Sequence, residues 1–390
     1  MTAFVLDEAG IERARECAAA RAAAAETMRA RLAAVAAGEV IDDVTAVALL
    51  LSPVVETEAL VAAARARRPP GGPRLETFSP LYLTNECDAE CRMCGMRGDN
   101  AALRRETADT ATVEDQLDIL HRRGMRGVAI LTGEYRHGAR RRAMIERAAA
   151  AVRAAVRRGF AHVLVNIGAL EVEEYGSLLA GIPREPDGRV RPQLTMCTFQ
   201  ESYRPATYAR FMGTSEDNPR SDFLRRVQNF DRACDAGLWS VNPGILLGLD
   251  RDVAFETLAL LAHVRHLRQR GLRVYVSLPR LRRASGTPLP RGIGDELLTR
   301  IVAALVLAAP DARIVISTRE PAAVQERLLP LIAVLTPGSP GVAPYTLSGA
   351  RFDLERSQFE VLDRRPFEAI LSEVVARGAT VQCWEPAVPG

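Results

Sequence analysis

Residues 78–100 read FSPLYLTNECDAECRMCGMRGDN, an apolar stretch running straight into Cys87, Cys91 and Cys94 in a C-x3-C-x2-C spacing. Thiolates this close in a chain can ligate one metal centre, and soft sulfur ligands select iron–sulfur clusters, zinc or cuprous copper. A fourth ligand is missing. A structural zinc site closes its tetrahedron with four protein ligands, and the nearest histidine, His121, lies outside the usual spacing. An iron–sulfur cluster normally takes four cysteines, so three leave one iron open to bind something else. A zinc loop completed from a distance and three unrelated buried thiols are the alternatives.

Outward from this loop, apolar runs of strand type alternate with helical patterns, near residues 81–84, 128–131, 163–167, 194–199, 241–247, 274–278, 314–317 and 332–335. Eight such repeats in about 260 residues are the size of an α/β, TIM-type (β/α)8 barrel, whose active site lies at the C-terminal ends of the strands. Cys87, Glu134, Glu201, Arg280 and Arg319 each follow a strand, so the barrel brings them to one mouth. Arg-Arg-Gly at 157–159 and Gln-Arg-Gly at 269–271 read as helix C-caps ahead of the next strand. The chain divides into an N-terminal helical extension and linker (1–73), the barrel (74–345) and a C-terminal extension (346–390). The extension reads as three helices over 7–68, with starts marked by Asp42-Asp43 and Ser52-Pro53, and RPPGGP at 68–73 as the linker. At the other end, a last helix over 367–377 precedes a loop, ATVQCWEPAVPG.

Composition sets bounds on function. With 390 residues, 48% hydrophobic and 25% charged, the chain reads as an ordinary globular protein with a large core. A net charge of +3, spread along the chain, gives no reason to expect nucleic acid as a partner. All 51 basic residues are arginine, which excludes Schiff-base lysine chemistry and the lysine of a phosphate-binding P-loop. The N-terminus lacks a signal-type pattern, and no stretch approaches the roughly 20 apolar residues of a membrane span. Seven cysteines, three of them in one loop, do not resemble a disulfide framework. The expectation is a cytoplasmic protein without a membrane partner.

Several motifs sit at the predicted strand ends: TGEY (132–135), FQESY (199–203), DFLRR (222–226), GILLGL (244–249), SLPRLR (277–282) and STRE (317–320). Together with the cysteine loop, the set resembles the radical S-adenosylmethionine (SAM) aromatic amino acid lyases over residues 76–340. The resemblance implies a [4Fe-4S] cluster on Cys87, Cys91 and Cys94, with SAM chelated by the open iron. Gly133 and Glu134 would hold the SAM amino group, and Gln200 and Glu201 the ribose hydroxyls. Arg226 would pair with the SAM carboxylate, with Arg225 as the competing assignment, and GILLGL would lie against adenine or form a plain tight turn. Arg280 is read as reaching a SAM or substrate carboxylate, or as a structural ion pair. Arg319, with Thr336 or Ser339, would fix the substrate carboxylate, and Tyr82 would point into the mouth or into the core.

Departures within the set bear on the substrate. Only Cys383 stands near the C-terminus, where a hydrogenase maturase carries further cluster cysteines. Met93 and Met96 flank the third cysteine where tyrosine lyases usually carry an aromatic residue and phenylalanine. This version looks more like the tryptophan lyase that makes 3-methyl-2-indolic acid for thiopeptide antibiotics. The resemblance therefore implies L-tryptophan as substrate and a flavodoxin or ferredoxin-type electron donor. The alternative is a tyrosine lyase giving p-cresol and dehydroglycine. An alternative of another class is a structural zinc-binding protein.

Overall fold

The extended run that leads into the cysteine loop forms two strands, β1 (Arg74–Glu76) and β2 (Ser79–Tyr82), separated by Thr77 and Phe78. In the computed structural model, which describes residues 2–288 and 292–386, seven more parallel strands follow. These are β3 (Gly127–Leu131), β4 (His162–Asn166), β5 (Gln193–Cys197), β6 (Ser240–Asn242), β7 (Arg273–Ser277), β8 (Arg313–Ser317) and β9 (Val334–Thr336). A small hairpin, β10 (Tyr345–Thr346) with β11 (Gly349–Ala350), and a final strand, β12 (Thr380–Gln382), complete the set.

Sheet order is β12-β1-β9-β8-β7-β6-β5-β4-β3-β2. Glu76 of β1 registers with Val334 of β9, and Ser79 of β2 registers with Val128 of β3. One run of chain therefore joins the two ends of the sheet and curls it into the expected (β/α)8 barrel. Strand β12 lies outside the barrel against β1, with Arg74 opposite Thr380. This corrects the reading of the C-terminal end as loop, of which residues 387–390 lie outside the described residues.

Local signals account for the helices between the strands. Asp109 and Asp252 accept from the backbone N–H three residues on and start the helices Thr110–Arg122 and Val253–Gln269. The helices Ala139–Arg157 and Val253–Gln269 run out at the glycines read as caps, Gly159 and Gly271. The chain before the barrel forms four helices rather than three: Glu8–Ala22, Ala25–Ala36, Asp43–Leu51 and Thr57–Arg65. The break at Ala23 and Ala24 falls in an alanine run without cap residues. Asp42 caps the third helix as expected, but Ser52 ends that helix, and the fourth begins only at Thr57. Arg300 of the helix Asp295–Ala308 ties the extension down, donating to the carbonyls of Leu49, Leu50 and Ser52 at 2.9–3.0 Å.

Two layers of side chains fill the molecule. The main core lies between strands and helices, and a smaller cluster that includes Phe78, Leu164, Tyr275 and Val315 fills the barrel interior. Below it, the buried Glu76 carboxylate accepts from Tyr275 Oη (2.7 Å), Arg313 Nη2 (2.9 Å) and Gln193 Nε2 (3.1 Å), and contacts His162 Nδ1. The barrel is thus plugged at its N-terminal end and open for chemistry at the other. Among the described residues, no helix is long and apolar enough to cross a membrane.

Candidate active site

The cysteine loop leaves β2 and folds over the C-terminal mouth of the barrel. Its shape comes from hydrogen bonds that side chains make to backbone. Asn100 Nδ2 donates to the carbonyls of Gly95 (2.7 Å) and Ser285 (2.8 Å), and Arg105 donates to those of Asn85, Met96 and Arg97. The loop sits hard against the end of β3. A Cβ on Gly133 would stand 2.1 Å from Glu86 O and 2.6 Å from Cys87 Cβ, so glycine is what permits the approach.

Cys87, Cys91 and Cys94 all line the large cavity at the mouth. Burial pushes the Cys87 thiol up to about 12 and raises Cys91 and Cys94 as well, so the bare thiols stay protonated until a cation compensates them. Among the described residues, no three Cys, His, Asp or Glu side chains converge to hold a single metal ion. Three thiols on different corners of a cluster need not converge in that way, so the donor set fits a [4Fe-4S] cluster better than zinc.

Acidic and basic groups meet on the same wall. Arg226 donates from Nη1 to Glu134 Oε1 (2.7 Å) and from Nε to Phe199 O (2.7 Å). Arg220 donates to Cys91 Sγ (3.2 Å) and to Glu201 Oε1 (2.9 Å). Burial works against the charge on Glu134, but Arg226 and Arg220 outweigh it and hold the carboxyl below its usual range. Its second oxygen, Oε2, is buried and has no partner, which is an acceptor position suited to an ammonium group. Glu201 sits at φ 69°, a left-handed conformation that a non-glycine residue adopts at some cost, as functional sites often do.

The opposite wall carries Arg319 and Thr336. Five arginines line the cavity, and among the described residues Arg319 is the one whose guanidinium makes no hydrogen bond or ion pair; its carbon lies 3.1 Å from the centroid of the Phe359 ring. Burial draws its pKa down to about 10, which leaves it charged at neutral pH. Tyr82 also lines the cavity, and its hydroxyl donates to Gln358 Oε1 at 2.7 Å.

Three expected site residues stand elsewhere. Arg280 is held by Glu320 and by Asp295 (2.7 Å), away from the cavity lining, which corrects its reading as a carboxylate anchor in favour of a structural ion pair. Ser339 Oγ donates to Arg351 O (2.9 Å) and stands outside the cavity lining, although its neighbours Gly338 and Pro340 belong to it. Gln200 is buried outside the lining with both amide atoms unpartnered, since alternation along the strand end puts Glu201 on the cavity side instead. The DFLRR segment also differs from the single helix read there. It forms Phe223–Val227 and Asn229–Asp235, broken at Gln228; on the first of these Arg226 faces Glu134 while Arg225, one position earlier, turns to Glu171. Arg220, Gln358 and Phe359 were missed. Arg220 looks like any other of 51 arginines, and the other two lie in a stretch without periodicity.

Comparison with known proteins places this geometry. Residues 277–379 match the family described as the Biotin and Thiamin Synthesis associated domain. The chain is 29% identical over 317 residues to the 2-iminoacetate synthase of Escherichia coli (strain K12), covering 79% of this chain and 77% of that one. It superposes on the [FeFe]-hydrogenase maturase HydG with a TM-score of 0.81 at 25% identity, over 96% of this chain and 80% of that one. Methylornithine synthase (PylB), at 18% identity and a TM-score of 0.69 over 89% of this chain and 96% of that one, shares the fold.

Proposed function

We propose that this radical SAM protein, a relative of 2-iminoacetate synthase and HydG, is a lyase that breaks a carbon–carbon bond at Cα of an aromatic L-amino acid. Its cofactors are a [4Fe-4S] cluster and SAM. The observation that carries the substrate reading is Arg319: a charged guanidinium in the cavity wall, without an acceptor among the described residues, in the same cavity as the cysteines. A planar fork of donors suits a carboxylate, which it can bind through two hydrogen bonds.

When bound, the cluster and SAM would supply one-electron radical chemistry directed at the substrate amine. The remaining work falls to the chain. Cys87, Cys91 and Cys94 would hold the cluster, and Arg220, which donates to Cys91 Sγ, would stabilise its thiolate. Glu134, whose Oε2 is unpartnered, would accept from the SAM ammonium, and Glu201, also in the cavity lining, would take the ribose hydroxyls. Arg319, helped by the Thr336 hydroxyl, keeps the amino acid carboxylate on the far wall, so that the amine points inward and the carboxyl fragment stays in reach after the bond breaks. Apolar groups of the barrel interior, Phe78, Leu131, Leu164 and Val315, leave room for an aromatic ring.

Two substrates fit this scheme. L-Tryptophan, rearranged to 3-methyl-2-indolic acid by migration of the carboxyl group to indole C2, is the reading favoured by Met93 and Met96. L-Tyrosine, giving p-cresol and dehydroglycine, has the stronger support from the relatives, since the curated ones are 2-iminoacetate synthases. An anaerobic assay of the reconstituted protein with SAM, reductant and each amino acid, read by mass spectrometry, separates them. A methylindole carboxylate marks the tryptophan enzyme and p-cresol the tyrosine enzyme. Absence of SAM cleavage at full iron load would overturn the lyase reading itself.

A further inference from the structure

The irregular segment 357–363 crosses the mouth of the barrel and is sewn to three separate loops by backbone hydrogen bonds. Gly95 of the cysteine loop donates to Gln358 O (3.1 Å), Glu360 donates to Arg283 O (2.8 Å), and Leu362 donates to Thr318 O (3.1 Å). Contact with the cysteine loop is close enough that a Cβ on Gly95 would stand 2.8 Å from Gln358 O. The strap therefore has one position relative to both the cysteines and the β8 loop.

Two of its side chains reach the chemistry. Gln358 Oε1 accepts from the Tyr82 hydroxyl at 2.7 Å, and Gln358 Nε2 donates to Cys94 Sγ at 3.5 Å. This amide orientation suits a ligated Cys94, because a cluster-bound thiolate would only accept and a protonated tyrosine has a hydrogen to give. Phe359 places its ring 3.1 Å from the guanidinium carbon of Arg319. A cation over an aromatic face is attracted to it, and the stack occupies the flat face of Arg319 while leaving its N–H edge free.

We infer that the strap is a positioning device for both halves of the site: Gln358 orients Tyr82 and hydrogen-bonds the cluster thiolate of Cys94, while Phe359 fixes the carboxylate-binding arginine. The Gln358 part rests on the cluster assignment, and the Phe359 part on the lyase reading. A hydrogen bond to a cluster sulfur stabilises the reduced, more negative cluster, so Gln358 raises its reduction potential. An arginine held on one face loses less freedom when it binds a carboxylate, so Phe359 lowers the KM for the amino acid.

The test uses the reconstituted holoenzyme and two variants. Gln358→Leu is expected to keep its iron load and to shift the cluster midpoint to a more negative potential in an EPR-monitored titration. Phe359→Leu is expected to leave that potential in place, raise KM for the amino acid several-fold and release more 5'-deoxyadenosine per product. If Gln358→Leu loses iron, Gln358→Glu, of the same length and without the donor, is titrated in its place. An unmoved potential in the iron-loaded Gln358 variant overturns its role, and an unchanged KM with unchanged coupling in Phe359→Leu overturns the other. The potential is read without substrate, so a wild-type protein that proves inactive on both amino acids defeats the lyase reading while leaving the Gln358 result standing.

Discussion

Arg226 donates to one oxygen of Glu134 at 2.7 Å, while the other oxygen of the same carboxylate is buried without a partner. The first contact aims the second. Glu134, in the cavity lining, is fixed by an arginine and keeps one acceptor unpartnered, which the proposal assigns to the SAM ammonium. Glu134→Gln keeps the shape but removes the charge. Losing one charge-assisted hydrogen bond costs about 1.5–3 kcal/mol, so SAM affinity should fall about 10- to 100-fold. Equilibrium dialysis against iron-loaded protein measures it, with unchanged iron content expected and unchanged affinity counting against the assignment.

Gly133 tests the contact between the loop and the barrel. A methyl there would collide with Glu86 O and Cys87 Cβ, both set by the backbone, so Gly133→Ala should push the loop off β3 and lower the iron bound per chain. Gly176→Ala, where a Cβ meets nothing within 4 Å, is the control and should load fully. Equal iron in the two variants would show that the loop is not positioned by this contact.

Glu76 links the barrel floor to pH. Burial opposes its charge, but His162, Tyr275 and Arg313 prevail and hold its carboxyl at about 2, against an ordinary value of 4.5. A carboxyl depressed in the folded state contributes stability above its unfolded pKa and loses it as pH falls through the folded value. The shift corresponds to about 3 kcal/mol, fully present above pH 5 and declining between about pH 4.5 and 2. Glu76→Gln should therefore be less stable than wild type by roughly that amount at pH 7, with the gap closing towards pH 2–3. Chemical denaturation at several pH values reads this, and a gap independent of pH would contradict it.

Much of the barrel was legible because each strand is a short apolar run ended by a glycine or a polar turn, and because Gly159 and Gly271 mark helix ends by a backbone need. The mouth residues Cys87, Glu134, Glu201 and Arg319 followed from position alone, since strand ends converge in this fold. What escaped was non-local. Arg280 follows a strand as Arg319 does, and only the fold shows that Glu320 occupies it. The strap at 357–363 has no period to betray it, and β12 is three residues made into a strand by pairing with Arg74–Glu76, more than 300 positions away.

Arg319→Ala should leave iron content and SAM affinity close to wild type, because its guanidinium touches neither the cysteines nor Glu134. The loss should fall on the amino acid. KM should rise, and SAM cleavage should become uncoupled from product formation. Arg319→Lys should recover only part of the coupling, since an ammonium lacks the planar fork. Product yield unchanged in the alanine variant would remove Arg319 from the substrate site.

The central claim is that Arg319 holds the amino acid by its carboxylate and turns its amine towards the hydrogen-abstracting carbon. Turnover in D2O tests this directly, because amine hydrogens exchange with solvent and those on carbon do not. One deuterium is expected in the 5'-deoxyadenosine formed in D2O with whichever aromatic amino acid is turned over. Deuterium-free 5'-deoxyadenosine in D2O, together with deuterium transfer from a carbon-deuterated substrate in ordinary water, would contradict it.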